Sequence, residues 1–154
     1  MTQAWKNGRG KLGVFAPLIG AWRAETDSPM GPLVCTRTFA SILSDRFVQL
    51  DAAWTFQAAK AAAPRVYSER AIFGPDKDGV LASWSFTSDG KRSQGIVADG
   101  SDVHPKALCF EAQMDAGLAR QVYWPDADSG IRWAVEARNK KGWKRFTEHL
   151  YKPA

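Results

Sequence analysis

Apolar and polar residues alternate with a period of two along nearly the whole chain, and this alternation most constrains the fold. Residues 46–56 are the clearest example. About ten segments of this kind occur between short turns. They are residues 18–26, 34–40, 46–56, 65–73, 80–87, 92–98, 107–115, 118–124, 131–138 and 143–152. Because no helix-length periodic segment separates them, the pattern excludes a parallel α/β sheet and favours an all-β antiparallel up-and-down meander.

Closure of this meander into a β-barrel is the expected architecture. Pairing of the first and last strands removes two exposed sheet edges. A barrel of about ten strands is too wide to be filled by its own side chains, so the sequence predicts a ligand cavity. Residues 11–18 carry apolar residues at helical spacing, which predicts a short N-terminal helix or plug under the first strand. Trp22 on that strand fits a barrel end or, equally, the core of a β-sandwich.

The alternation also predicts which side chains face the interior. The inward set is Val48, Leu50, Ala52, Trp54, Phe56, Trp84, Phe86, Phe110, Met114, Trp133 and Val135. Asp89-Gly90 predicts a tight type I′ hairpin. Residues 57–64 predict a long connection, and the Asp-x-Asp-Gly of residues 76–79 is interpreted as a turn because a calcium loop needs further ligands. Residues 126–130 are interpreted as a turn for the same reason.

The 154 residues fit a single domain spanning residues 1–154. The N-terminus lacks an apolar stretch of signal-peptide type, and no window resembles a membrane span, so we expect a soluble cytoplasmic protein. Cys35 and Cys109 are then expected to be free thiols, and no Cys and His spacing suggests zinc. The sequence does not indicate an oligomeric state.

The net charge of +5 permits binding to anions, so the positions of the basic residues matter. The dense basic group is residues 138–145, and the rest are scattered along strands. Because no nucleic-acid motif accompanies this group, we interpret it as a solvated hairpin tip and expect no nucleic-acid partner.

The first and last strands carry a resemblance to a known superfamily. Gly20-Ala21-Trp22 after a short turn, the strand meander, and the ending that contains His149-Leu150 resemble the calycin superfamily. Within it the chain is similar to nitrobindin-like and uncharacterised bacterial lipocalin-like barrels. The resemblance implies a ligand-binding barrel, and in nitrobindins a histidine near the chain end ligates haem iron. It therefore implies haem as an optional cofactor, with His149 as the iron ligand, although Ala24 stands where nitrobindins have a further glycine.

The last strand offers two faces, and the resemblance favours the face with Arg145, His149 and Tyr151 as the inward one. In fatty-acid-binding barrels, which are also calycins, an inward arginine and tyrosine near the chain end grip a carboxylate. A buried guanidinium needs a partner, which Glu69 or a ligand acid would supply. Arg145 and Glu69 as surface residues remain the alternative. The candidate ligand-binding residues are Trp54, Tyr67, Glu69, Trp84, Arg145, His149 and Tyr151.

The function expected from these features is binding of a small, largely apolar ligand with a polar or acidic head. The ligand itself cannot be identified from the sequence. An enzyme remains an alternative, because Tyr67, Glu69 and His149 could provide acid and base chemistry of the isomerase or lyase type, although no nucleophile is evident. A purely structural or interaction role is the third possibility.

Overall fold

The computed structural model describes residues 5–57, 63–127 and 129–154 and shows a closed barrel of ten antiparallel strands. The strands follow one another around the barrel in chain order, and β1 pairs with β10 to close it. Their bounds are β1 Gly20–Ser28, β2 Gly31–Ile42, β3 Phe47–Phe56, β4 Arg65–Pro75, β5 Leu81–Thr87, β6 Arg92–Ala98, β7 Leu108–Met114, β8 Gly117–Pro125, β9 Ile131–Asn139 and β10 Gly142–Pro153. The predicted all-β closed meander is confirmed. The predicted connection at 57–64 and turn at 126–130 include positions 58–62 and 128, which lie outside the described residues.

A short helix covers one end of the barrel, as predicted. It spans Lys11–Leu18 and has 3₁₀ geometry. Phe15 is buried, with its ring centroid 5.0 Å from that of Phe73. The indole Nε1 of Trp22 donates a hydrogen bond to the carbonyl oxygen of Leu18 at 2.7 Å. These contacts fill the barrel at this end, which we call the plugged end.

The opposite end of the barrel is the mouth. In an up-and-down meander, the connections that follow odd-numbered strands all lie at the same end, and here they join β1 to β2, β3 to β4, β5 to β6, β7 to β8 and β9 to β10. No helix in the described part of the chain is long and apolar enough to cross a membrane.

Nine of the eleven residues predicted to face inward do so. The buried members are Val48, Leu50, Ala52, Phe110 and Trp133, while Trp54, Phe56 and Val135 pack against the core and Met114 lines the cavity. The prediction is wrong for Trp84 and Phe86. Their neighbours Ser83 and Ser85 line the cavity, so the alternation places both aromatic rings on the outer face, where Phe86 is 54 % exposed. Assigning the larger apolar residues to the interior fails here because the interior contains a partly polar cavity.

The hairpin at Asp89-Gly90 forms, but the predicted type I′ turn is wrong. Such a turn needs positive φ at both central residues, and here Gly90 has φ 85° while Asp89 does not have a positive φ. Asp89 instead accepts hydrogen bonds from the Thr87 hydroxyl and the Lys91 backbone N–H. The side chain of Asp89 therefore stabilises a four-residue loop, Ser88 to Lys91, in place of the tight turn.

Candidate functional site

The barrel encloses a cavity with two adjoining lobes of about 130 and about 260 Å³. The lobes share one band of wall residues, Glu69, Ser85, Ser93, Met114, Gln121 and Val135. The smaller, inner lobe extends towards the plugged end and is lined mainly by apolar residues that include Leu50, Phe73 and Phe110, with Ser83, Arg120 and Tyr123 as polar members. The larger, outer lobe extends to Lys91 and Arg92 at the mouth. A molecule that enters at the mouth would therefore pass the shared band before it reaches the apolar inner lobe.

Four of the six residues of the shared band are polar. Glu69 is 9 % exposed and accepts a hydrogen bond from the Ser85 hydroxyl. The Gln121 Oε1 accepts a hydrogen bond from the indole Nε1 of Trp133 at 3.0 Å. Ser93 is the remaining polar member of the band. The arrangement suits a ligand with a polar group at one position and apolar surface elsewhere.

Arg37, on β2, is a charged side chain buried completely inside the barrel, at 0 % exposure. Its Nε donates to the Tyr151 hydroxyl at 3.2 Å, and its Nη1 donates to the Tyr123 hydroxyl at 2.8 Å. Its Nη2 is buried and has no hydrogen-bond partner. A buried guanidinium normally has all its donors paired, so this nitrogen marks an acceptor position that the chain itself leaves unfilled.

Aromatic rings surround the Arg37 guanidinium. Its Cζ lies 4.1 Å from the ring centroid of Trp133 and 5.3 Å from that of Trp54. Within the described residues, no carboxylate lies within 4.0 Å of it, and Glu69 acts on its charge only through space. Trp54 and Trp133 also line the outer lobe and Tyr123 lines the inner one. The positive charge therefore lies directly behind the cavity wall.

The groups around Arg37 are neutral near pH 7. Burial raises the pKa of the Cys35 thiol to about 11, although the Tyr151 hydrogen bond and Arg37 oppose the shift. Burial likewise raises the pKa of both the Tyr123 and Tyr151 hydroxyls, against the opposing effect of Arg37. No neighbouring thiolate or phenolate therefore neutralises the guanidinium by direct contact, and an anionic ligand would do so.

His149 belongs to the same buried cluster but does not line either lobe. It is 7 % exposed, and its ring centroid lies 5.3 Å from that of Trp133 and 6.0 Å from that of Tyr151. Its Nε2 lies 3.3 Å from the Thr147 hydroxyl, and its Nδ1 is buried without a hydrogen-bond partner. Burial first, and then the charge of Arg37, lower its pKa, so the imidazole is neutral at pH 7. Because aromatic rings pack on His149 and it does not line the cavity, the residues here do not fit an iron-bound haem.

Arg145 lies on the outer face of the barrel, so its expected place in the cavity is wrong. The pairing of β10 with β9 shifts between Arg145 and Thr147, which is a β-bulge at Phe146. The extra residue reverses the alternation, and Thr147, His149 and Tyr151 face inward while Arg145 faces outward. Arg145 binds the Glu136 carboxylate at 2.9 Å and is 35 % exposed.

Glu136 also joins Arg145 to a second buried arginine. Arg120 is 3 % exposed, and its Nη2 lies 2.7 Å from a Glu136 carboxylate oxygen and 2.6 Å from one of Asp102. Its guanidinium also lies 4.3 Å from the ring centroid of Trp143. Arg120 is therefore fully paired by carboxylates, in contrast to Arg37.

Of the seven residues proposed from sequence, the structure brings three together along the cavity. Trp54, Tyr67 and Glu69 line the outer lobe. His149 and Tyr151 face inward but lie in the Arg37 cluster, and Trp84 and Arg145 lie on the outer face. His149 contacts Thr147, Trp133 and Tyr151, so the structure does not assemble it with Tyr67 and Glu69 as an acid and base pair.

Sequence reasoning missed Arg37, although a signal was present. Residues 33, 35, 37 and 39 are Leu, Cys, Arg and Phe, so an arginine interrupts an otherwise apolar face of β2. Residues of the described chain form no group of three His, Cys, Asp or Glu side chains that could hold a metal ion. Comparison of the chain with protein-family models and with curated proteins finds no match.

Proposed function

We propose that this protein is a calycin-type binding protein that holds a small, largely apolar molecule with an acidic head inside its barrel. The observation that carries the proposal is the fully buried Arg37 guanidinium, whose Nη2 has no partner. Hydrogen bonds to charged groups are the stronger ones, so an acid that accepts from Nη2 gains both a hydrogen bond and a counter-charge.

The head group would reach Arg37 where Tyr123 and Trp133 form the cavity wall. Both side chains contact the guanidinium and both line a lobe. Glu69, on the shared band, would repel a second carboxylate and so favours a head group placed towards Arg37. The apolar part of the ligand would then occupy the inner lobe beside Phe73 and Phe110.

Titration calorimetry with decanoate, decanol and decylamine tests the proposal. These probes share one apolar chain and differ in the charge of the head. We expect decanoate to bind at least about tenfold more tightly than decanol, which is the effect of one charge-assisted hydrogen bond. Tighter binding of decylamine would instead identify Glu69 and the aromatic rings of the outer lobe as a cation site. Absence of binding by all three probes would overturn the proposed function.

A further inference from the structure

We propose that the mouth of the barrel docks on the surface of an anionic phospholipid bilayer. The docking surface, here called the rim, consists of exposed basic and apolar side chains on the connections and strand ends at the mouth. The basic members are Arg65, Lys91, Arg92, Arg138, Lys140, Lys141 and Lys144, and the apolar members are Met30, Val66, Phe86, Met114 and Phe146.

Charge is distributed unequally between the two ends of the barrel. Beside its seven cations, the rim carries the carboxylates of Asp27, Asp89 and Asp115, and a fourth, that of Glu25 near the mouth end of β1, is paired with Arg23. At the plugged end, the described residues of 5–18, 43–47, 75–81, 99–107 and 126–130 include six Lys or Arg and six Asp. The excess positive charge of the chain is therefore concentrated around the mouth, where it attracts anionic surfaces.

The rim cations are available to a partner. Within the part of the chain that the structure describes, none of them has a carboxylate within 4.0 Å. Arg138 is held by the ring of Trp143, with its Cζ 5.4 Å from the centroid, and Lys144 lies 5.9 Å from the Phe146 ring centroid. The basic side chains are thus interspersed with aromatic rings instead of acids.

Exposed apolar side chains on the same rim identify lipid as the partner. Phe146 is 65 % exposed because the β-bulge turns it out of the β10 alternation, and Phe86 is 54 % exposed on β5. Met30 and Val66, on other connections or strand ends, are also exposed. Aromatic rings beside cations would also suit a single-stranded nucleic acid, but the exposed aliphatic side chains Met30 and Val66 offer no surface for base stacking. Cations mixed with exposed aliphatic and aromatic residues are typical of surfaces that insert into the headgroup region of a bilayer.

Docking by the rim would place the cavity opening against the lipid. Lys91, Arg92 and Met114 belong to the rim and also line the cavity. An apolar molecule could then move between bilayer and barrel without crossing water. The docking surface does not depend on the acidic head proposed for the ligand, so the two proposals can fail separately.

Vesicle flotation of the full-length protein tests the docking surface. The vesicles are phosphatidylcholine alone, or phosphatidylcholine with one quarter phosphatidylglycerol. We expect binding to the anionic vesicles that weakens as salt is added, and little binding to the neutral ones. The double variant Lys140→Ser/Lys141→Ser should bind on the order of thirtyfold more weakly, since each basic residue near such a surface contributes about a factor of five. Phe86→Ser/Phe146→Ser should also bind more weakly.

The matched control is Lys77→Ser/Lys106→Ser, which removes the same charge from the plugged end and should bind like the wild type. Thermal unfolding of each variant verifies that it folds, independently of whether decanoate binds in the cavity. Failure of the wild type to bind anionic vesicles, equal binding to neutral ones, or equal loss in the control variant would overturn the proposal. Tighter binding to a single-stranded oligonucleotide than to the vesicles would identify the rim as a nucleic-acid interface instead.

Discussion

Replacement of Arg37 by methionine should separate ligand binding from folding stability. Methionine keeps an unbranched apolar side chain on the inner face of β2 but ends short of the guanidinium, so it removes the charge together with its contacts to Trp54 and Trp133. Loss of a charge-assisted hydrogen bond to the ligand head costs about 1.5–3 kcal/mol. We therefore expect decanoate to bind Arg37→Met about tenfold to 150-fold more weakly, while decanol binds equally well to both proteins.

The effect of Arg37→Met on stability follows from the same contacts. Two hydrogen bonds to neutral tyrosine hydroxyls are lost; the Tyr123 hydroxyl is left unpaired at a cost of about 1–3 kcal/mol, whereas the Tyr151 hydroxyl keeps its hydrogen bond with Cys35. Removal of an ion buried without a contacting carboxylate recovers a desolvation penalty of several kcal/mol. The two effects are similar in size and opposite in sign, so the free energy of unfolding should change by less than about 2 kcal/mol.

Calorimetry for binding and urea unfolding for stability are the two measurements, and Arg145→Met is the matched control for binding. Arg145 lies on the outer face, so its replacement should leave the affinity for decanoate unchanged. An unchanged affinity in Arg37→Met would refute the assignment of Arg37 as the anchor. A loss of stability above about 4 kcal/mol would show that Arg37 mainly supports the fold.

Four further outcomes follow from the structure. Arg120→Met should lower the free energy of unfolding by about 3–5 kcal/mol in urea, because it leaves the Glu136 carboxylate buried beside the half-exposed Arg145; a change below about 1 kcal/mol would contradict this. Glu69→Gln should bind decanoate more tightly in calorimetry, because it removes a like charge from the cavity, and weaker binding would refute the repulsion. The pKa of His149 is lowered in the folded protein, so the unfolded chain binds a proton at this residue more readily. The contribution of the neutral His149 to the free energy of unfolding should be complete above the ordinary His pKa of about 6.5 and should decrease as the pH falls below it. The urea midpoint of His149→Gln should therefore depend less on pH than that of the wild type between neutrality and pH ~5.5. Ferric haem added to the wild type should give no shifted Soret band, because His149 packs against aromatic rings away from the cavity, and a shift lost in His149→Ala would show that the ring can leave this position.

The strands were predictable because each was bounded by turn residues and carried its own alternation. The period of two predicts where strands lie, and in β3 it also predicts which face is buried, since Val48, Leu50 and Ala52 are inside as expected. In β5 the same period predicts the strand but not its inward face, because the side that faces a cavity need not be the more apolar one. The serines of β5 face the cavity, and Trp84 lies outside.

The faces of β10 could not be assigned from the sequence for a different reason. A single extra residue at Phe146 reverses the alternation, and local sequence contains no signal that distinguishes this bulge from a regular strand. The prediction that His149 and Tyr151 face inward is correct. Regular alternation back from His149 would place Arg145 on the inner face as well, whereas the bulge places it on the outer face. A predicted constellation that spans a bulge is therefore divided between the two faces of the sheet.

The barrel does contain a buried guanidinium that needs a counter-charge, but it belongs to Arg37 on β2 and not to Arg145 on β10. Arg37 is paired with Ala52 of β3, which is paired with Glu69 of β4, so the three residues form one row across the inner face. Two strand spacings of about 4.8 Å separate the backbones of Arg37 and Glu69, which is consistent with the absence of an ion pair between them. Because the positive and negative charges lie apart on the same row, a ligand whose head accepts hydrogen bonds should bind at the Arg37 end of the row, and the opposite effects expected for Arg37→Met and Glu69→Gln test this polarity directly.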